Sequence, residues 1–429
     1  MIILLFLIGP IVWEYRATAP QARTYPAIGT VVERNAAGDS CIFVIGGQSA
    51  INQTRTNYEY DCLTNAWTTR TQMPLPIRYD FGGCSAGRGG TRRIYVLGGY
   101  QSAYVYYADL DEYTASTNSW VSQADMPTAR EGVRAACVAN MIYAIGGDYF
   151  DGVDPYVYDL VERYDPETNA WTTGYAAMPT ARTDACCAVA QNENGDSCIY
   201  VFGGCPDIVS PYPSNAVEEY NPAVNAWRAR NNSGLTGRWG AMAVTALNKI
   251  YVIGGTSDGS TSLNLVQVYD PAANTWSSET PIQLTRDGTT GGFVAGRIYV
   301  VVGSNGQTVV NTNERTTDVI DIEEIAGIPL MDFSLSVMPN PARDLVSINI
   351  CREAGMRGSG GDAGLAIEIY DACGRLVKSI NLPSAYSLVS TAVIWSVDDD
   401  LGRKVPAGVY FVKAKAGAQE IIEQIIILK

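Results

Sequence analysis

Ile142-Tyr-Ala-Ile-Gly-Gly147 and Tyr164-Asp-Pro-Glu-Thr-Asn-Ala-Trp171 are two words of one stretch, and their reading decides the fold. The first is a short apolar strand ending in a glycine pair, where a side chain would obstruct a turn or a close backbone approach. The second sets a Pro/Asn-rich turn between two further strands and places a tryptophan seven residues after a tyrosine. Both words recur. Glycine pairs close apolar strands at Gly46-Gly47, Gly98-Gly99, Gly146-Gly147, Gly203-Gly204 and Gly254-Gly255, with a degenerate sixth at Val302-Gly303. Tyrosines follow at Tyr60, Tyr113, Tyr164, Tyr220 and Tyr269, and Ile320-Asp321 is the sixth position of this type. Trp67, Trp120, Trp171, Trp227 and Trp276 each stand seven residues beyond their tyrosine.

An arginine opens each of six units: Arg23, Arg78, Arg130, Arg182, Arg238 and Arg286. Each unit reads as four short strands, a twisted sheet with two faces to bury, which no unit can do alone. Radial packing of the sheets buries both faces and leaves no long edge. The sixth unit has no tryptophan, whereas Trp13 stands ahead of the first arginine. A strand over about 13–18 is therefore expected to complete the last sheet, beside the strand near 316–322. With its glycine pairs, Tyr-Asp words and tryptophans in fixed order, at a period near the roughly 50 residues of a kelch unit, residues 13–323 resemble the kelch repeat family. That resemblance implies a six-bladed all-β propeller.

Composition sets the outer bounds. At 429 residues the chain is too long for one ordinary core. Hydrophobic residues make up 47% and charged ones 17%, which excludes a disordered chain and a coiled coil. Lys plus Arg is 30 against 44 acids, a net charge of −14 that argues against nucleic acid as partner. There is no histidine, which removes Ser-His-Asp and Cys-His catalysis and His-ligated metals together. No metal or cofactor site is expected. Gly83-Cys-Ser-Ala-Gly87 has the form of a nucleophile elbow but falls in an inner strand of a chain without histidine.

Met1–Ile8 is an apolar run too short to span a bilayer, and no other segment is long enough to do so. Residues 1–12 are expected to be the remnant of a secretion signal, with a buried first strand as the alternative. Ten cysteines without a C-x-x-C suit an exported, disulfide-bearing protein, although several sit where a small core side chain is expected.

After a linker at 324–332, residues 333–429 read as seven short strands, the size and pattern of an immunoglobulin-like β-sandwich. Pro339-Asn340-Pro341-Ala-Arg-Asp344, Ile367 to Arg375 with Gly374, Trp395 with Asp398 to Gly402, and Val405-Pro-Ala-Gly408-Val-Tyr410-Phe-Val412 occur in order. In these words the domain resembles the C-terminal sorting domain of type IX secretion substrates. The resemblance implies export through a bacterial periplasm to the cell surface, with an outer-membrane translocon as partner.

Near-symmetry places the six arginines around one mouth of the central channel, on the face of the loops that follow the glycine pairs. There they are expected to form a positive focus suited to carboxylate or sulfate. The alternative is a packing role, each arginine bonded to backbone carbonyls. The residues that follow them differ from unit to unit and suggest a ligand-reading rim: Thr24, Tyr79, Glu131, Thr183, Trp239 and Asp287. Tyr79 and Trp239 can stack on a ligand, while Glu131, Asp184 and Asp287 can accept hydroxyl protons. Tyr100, Tyr104, Tyr106 and Tyr107 add an aromatic loop. Asp148, Asp151 and Asp154 offer oxygen ligands for calcium, though not at EF-hand spacing. The function expected is an exported propeller that binds a carbohydrate or protein ligand at this mouth. The alternatives are an enzyme on carboxylated sugars, mutarotase- or lyase-like, with Glu131 or Asp287 as acid/base, and a purely structural surface protein.

Overall fold

The computed structural model describes residues 11–317 apart from 28 and 30, and, further on, residues 333–338, 346–352, 365–371, 375–382, 390–399, 403–416 and 419–428. The chain divides into two compact units, Met1–Ile320 and Asp321–Lys429. Every regular element among the described residues is a strand.

The first unit holds six four-stranded antiparallel sheets. Five are each built from one stretch of chain; the third, for example, runs through Arg134–Val138, Met141–Ile145, Val161–Asp165 and Ala170–Thr172. The sixth takes Thr290–Val294, Arg297–Ser304 and Val309–Thr316 from one end of the unit and Trp13–Tyr15 from the other. The innermost strands contact one another in sequence order, and that of the sixth sheet touches that of the first, closing the ring. Apolar clusters follow the same cycle, one between each pair of neighbouring sheets. Between the sixth and first, Val294, Tyr299 and Val301 meet Ile42, Val44 and Tyr60. Each side chain so buried contributes about 1.5–3 kcal/mol, so stability is distributed around the ring. This is a kelch β-propeller.

The repeated words have repeated bonds. Each tryptophan lies opposite its tyrosine in the register of the two outer strands, as Trp171 opposite Tyr164, and its indole N–H reaches a carbonyl of the preceding sheet. Trp67 donates to Ala17 at 2.8 Å and Trp13 to Thr280 at 2.9 Å, so the chain-end strand makes the same bond as the others. Asparagine supplies the turn: Asn65, Asn118, Asn169, Asn225 and Asn274 have φ of 50–58°, and each accepts the tyrosine hydroxyl at 2.7–2.9 Å. One expectation is corrected by this register. Opposite Trp13 stands Thr316, so Thr316 and not Ile320 holds the sixth tyrosine position. Ile320 itself lies outside the described residues.

A second closure rings the channel. Tyr25, Asp80, Gly132, Asp184, Gly240 and Gly288, each two residues after its arginine, all have φ between 48° and 61°. The N–H of each donates to the carbonyl of its counterpart in the preceding sheet, and Tyr25 donates to Gly288 at 2.8 Å, completing a six-membered collar. A left-handed conformation costs a side-chain-bearing residue about 1–2 kcal/mol, and the collar bonds hold Tyr25, Asp80 and Asp184 there. At Gly132 a Cβ would lie 1.7 Å from the Thr183 hydroxyl, so any side chain there would force Thr183 to move.

In the second unit, Phe333–Met338, Val346–Arg352 and Ser390–Trp395 form one sheet; Leu376–Leu382, Leu365–Asp371, Gly408–Ala416 and Gln419–Ile427 form another. Val346, Ile348 and Trp395 from the first share a core with Ile367, Ile369, Val412 and Ile425 from the second. Tyr410 is buried in that core and its hydroxyl donates to Pro406 at 2.8 Å. Gly408 begins its strand. Asn340, Pro341, Gly374 and Gly402 lie outside the described residues, as does the apolar start of the chain.

The disulfide expectation is corrected for the cysteines described. Cys41, Cys62, Cys84, Cys137, Cys186, Cys187, Cys198 and Cys205 are all free thiols. Most sit in strands as small, mostly buried side chains. Among the described residues no helix is long and apolar enough to cross a membrane.

Candidate functional site

The structure takes the six arginines away from any ligand. Arg23, Arg78, Arg130, Arg182, Arg238 and Arg286 are at most 1% exposed. Each guanidinium turns into its own sheet, toward the third strand. Arg78 pairs with Asp111 at 2.7 Å, Arg130 with Glu162 and Arg182 with Glu218 at 2.5 Å, and Arg286 with Glu314. Arg238 bonds Gln267 at 2.5 Å; Arg23 bonds Gly46 and Thr56 and lies over the Tyr58 ring at 4.7 Å. Burial lowers the pKa of Arg130, Arg182 and Arg286, and brings Arg23 and Arg238 to about 10. The physical reason was legible in the repeat. The residue two before each tyrosine-type position is Asp111, Glu162, Glu218, Gln267 or Glu314, and in the first unit Tyr58. An arginine that recurs with a recurrent acid is a buried pair, not a positive focus.

The residues just beyond the arginines do meet at the mouth. Each pairs with the residue that follows its sheet's glycine pair: Thr24 with Gln48, Tyr79 with Tyr100, Glu131 with Asp148, Thr183 with Cys205, Trp239 with Thr256, and Asp287 with Ser304. Trp239 is buried there, so it offers little face to a ligand. Asp287 accepts the Ser262 hydroxyl, and burial raises its pKa. Asp184 and Asp80 are bridged by Arg134, whose Nη2 and Nη1 lie 2.7 and 3.2 Å from their carboxylates. Arg134 was not singled out by the repeat, since it stands in an inner strand at a position where no other unit has a charge.

Glu131 and Asp148 have no such cation. Burial and the neighbouring carboxylates Asp148, Asp80 and Asp184 push Glu131 up to about 10, against the smaller opposing pull of Arg134. Burial likewise brings Asp148 to about 7, with Asp184 adding to the rise and Thr183 and Arg134 easing it. The Asp80 carboxyl is raised well above its ordinary range, chiefly by burial. The mouth thus gathers five carboxyls and one guanidinium, in place of the ring of cations expected from the arginines.

Beside it two hairpins rise from the second and third sheets, Tyr100–Gln101 with Val105–Tyr106 and Asp148–Phe150 with Pro155–Val157. Their aromatic rings interlock: Tyr106 and Tyr149 have centroids 4.7 Å apart, Tyr104 and Phe150 5.2 Å, and Tyr79 and Tyr100 5.7 Å. The Tyr107 hydroxyl donates to Gln101. Asp151 is used at the hairpin tip, where it accepts the N–H groups of Val153 and Asp154 at 2.8 and 2.7 Å. No group of acids and cysteines among the described residues could hold a metal.

Away from the collar, a cavity of about 460 Å³ lies among the inner strands, with Cys84, Cys137 and Cys187 set among alanines. Burial keeps these thiols protonated, with Cys187 raised to about 12. Ser85 of the elbow-like word donates to the Val32 carbonyl at 3.0 Å, and nothing basic activates it. The polar chemistry is concentrated at the mouth.

Comparison with known proteins agrees with the fold. Kelch motifs match residues 35–74, 129–174 and 240–283, and a secretion system C-terminal sorting domain matches residues 336–428. Kelch-like protein 23 of Homo sapiens is 26% identical over 63% of this chain and 45% of its own length. Alpha-scruin of Limulus polyphemus is 25% identical over 64% of this chain and 30% of its own. The chain spans about half the length of the curated relatives it matches, and less of alpha-scruin. A solved structure, "Structure of YjhT", superposes with a TM-score of 0.56 at 16% identity, covering 70% of this chain and 95% of that one. The sorting domain marks the chain for export by the type IX system, to the cell surface or the extracellular space.

Proposed function

We propose that this exported propeller is a recognition module that binds a polypeptide across the channel-mouth face. The observation that carries the reading is the rim. Exposed apolar residues stand in the loops after the glycine pairs of four successive sheets: Ile51, then Tyr104 and Val105, then Val153 and Tyr156, then Val209 and Tyr212. Aromatic rings alone would suit a sugar as well as a peptide, but isoleucine and valine have no role in stacking on a sugar face. A wide aliphatic and aromatic rim around a polar centre has the anatomy of a protein-binding patch. The kelch motifs support the same class of partner. An enzyme acting on carboxylated sugars is disfavoured, because the arginines that would hold the carboxylate are buried in pairs and the recess itself is acidic.

Selection from a displayed random-peptide library on the full chain tests the proposal, alongside a glycan array. Enriched peptides are expected, with binding lost in Val153→Glu and Val209→Glu variants that keep the wild-type melting temperature. Glycan hits without peptide enrichment, or peptides indifferent to both variants, would overturn it.

A further inference from the structure

This inference rests on the polypeptide reading above and deepens it by naming what enters the recess. We infer that the acidic recess takes one lysine or arginine side chain of the bound polypeptide, held by Glu131 and Asp148 and flanked by the aromatic hairpins. Carboxyls left without a cation are the first ground. The one guanidinium in the recess, Arg134, is already engaged by Asp80, Asp184 and the carbonyls of Ala185 and Val133. Glu131 and Asp148 have no ion-pair partner among the described residues. The chain has little to offer them elsewhere: Lys249 is its only lysine before residue 378, and it pairs with Asp270 at 3.6 Å.

A second observation points the same way. The Thr183 hydroxyl, in a residue 2% exposed, reaches no partner at close hydrogen-bond distance and has only a weak bond toward Asp148, which eases that carboxyl's charge. A Cβ on Gly132 would lie 1.7 Å from this hydroxyl and 3.2 Å from Asp148 Oδ1, so the two polar groups sit side by side against the collar glycine. An unsatisfied buried hydroxyl is costly unless something fills its bond. A guanidinium, with five donors in a fork, can supply both the carboxylates and the hydroxyl, and the ring faces of Tyr106 and Tyr149 favour a cation beside them.

The two carboxyls also set a pH signature. Glu131 faces Asp148, Asp80, Asp184 and Arg134, with Tyr79 and Tyr106 beside it. Asp148 faces Thr183, Asp184 and Arg134, with Tyr106 and Tyr158 beside it. Without a ligand both hold protons above the usual carboxylate range. An entering cation lowers both pKa values and expels protons, so affinity rises with pH, by about tenfold per pH unit for each proton released.

Fluorescence anisotropy with the full chain and four heptapeptide pools, fixed at the centre as Arg, Lys, Gln or Glu and random elsewhere, provides the test. The Arg and Lys pools should bind at least tenfold more tightly than the Gln pool, and more tightly at pH 8 than at pH 6. Glu131→Gln combined with Asp148→Asn should remove the preference. These are near-isosteric changes at groups that already carry protons, so the fold should survive; thermal melting checks it, and Tyr156→Ala at an exposed site serves as a second variant. Equal binding of the Arg and Gln pools, with loss in Tyr156→Ala, would overturn the basic recess and leave the polypeptide face standing. Binding by no pool would overturn both. A preference that persists in the double variant would place the cation elsewhere and sink the assignment.

Discussion

Arg182 and Thr183 are joined by one peptide bond, and the six units treat those two positions in opposite ways. At the first, every unit has arginine, and every arginine is buried and bonded inside its own sheet. At the second, no more than two units agree, and the side chains gather at the mouth. Identity repeated around a ring satisfies a packing requirement that every sheet shares. Divergence at an equivalent position means the sheets do not share its requirement, and a single off-axis ligand is the kind of requirement they would not share. The two rings can be separated by mutation, and five substitutions test the separation, from the largest expected effect to the smallest.

Arg182→Met should have the largest effect. It strands Glu218, 4% exposed, without its partner, and breaking one side of a buried pair costs about 3–5 kcal/mol. Arg238→Met should cost less, because its partner Gln267 is neutral and is not left as a buried charge. Thermal melting followed by circular dichroism reads both, and peptide binding by the folded fraction should be unchanged in each. Full stability with binding lost would return the arginines to the ligand set and erase the distinction between the rings.

Glu131→Gln should have a smaller effect, and one that depends on pH. Its folded pKa, near 10, lies above the ordinary value of 4.5, so the folded chain binds a proton that the unfolded chain has released. Stability is therefore lost as pH rises above the ordinary carboxylate range toward the folded pKa. Glutamine has nothing to titrate. Melting temperatures of wild type and variant should agree near pH 4 and diverge upward, with the variant the more stable. Parallel curves would mean that Glu131 is ionised in the folded protein and already has a cation.

The contrast between the rings also explains what could be read in advance. Glycine pairs, tyrosines and tryptophans recur because each sheet needs the same turn and the same bond to its neighbour, and a repeated local need is visible as a repeated word. The six-sheet ring and the role of Trp13 were legible for that reason. Ile320 was misread because the pattern weakens in the last unit, where Thr316 and a strand from the far end of the chain replace a tyrosine and its tryptophan. The arginines were misplaced because their partners, two residues before each tyrosine, were not read with them. Arg134 and the unbonded Thr183 hydroxyl had no word at all. A recess made by breaking symmetry cannot be found by a search for symmetry, although the varied residues after the arginines pointed to its location.

Thr183→Val and Thr24→Val should have the smallest effects, and the first decides whether the recess is built for something absent from the folded chain alone. Valine keeps the shape of threonine and removes a hydroxyl that completes no hydrogen bond. Leaving such a group buried costs about 1–3 kcal/mol, so the variant should be as stable as wild type or gain up to about 1 kcal/mol. Thr24 occupies the equivalent place in the first sheet, and its hydroxyl lies 3.4 Å from the Asp287 and Gly288 carbonyls. Thr24→Val should therefore lose a few tenths of a kcal/mol, as long, weak bonds of this kind are worth little. Binding should reverse the order: the Arg pool should weaken several-fold with Thr183→Val and remain unchanged with Thr24→Val, whose hydroxyl faces the Asp287 and Gly288 carbonyls and not Asp148. A marked loss of stability in Thr183→Val would mean that its hydroxyl is fully bonded to Asp148 in the folded chain. In that case the recess is satisfied from within, and the second ground for a ligand there is gone.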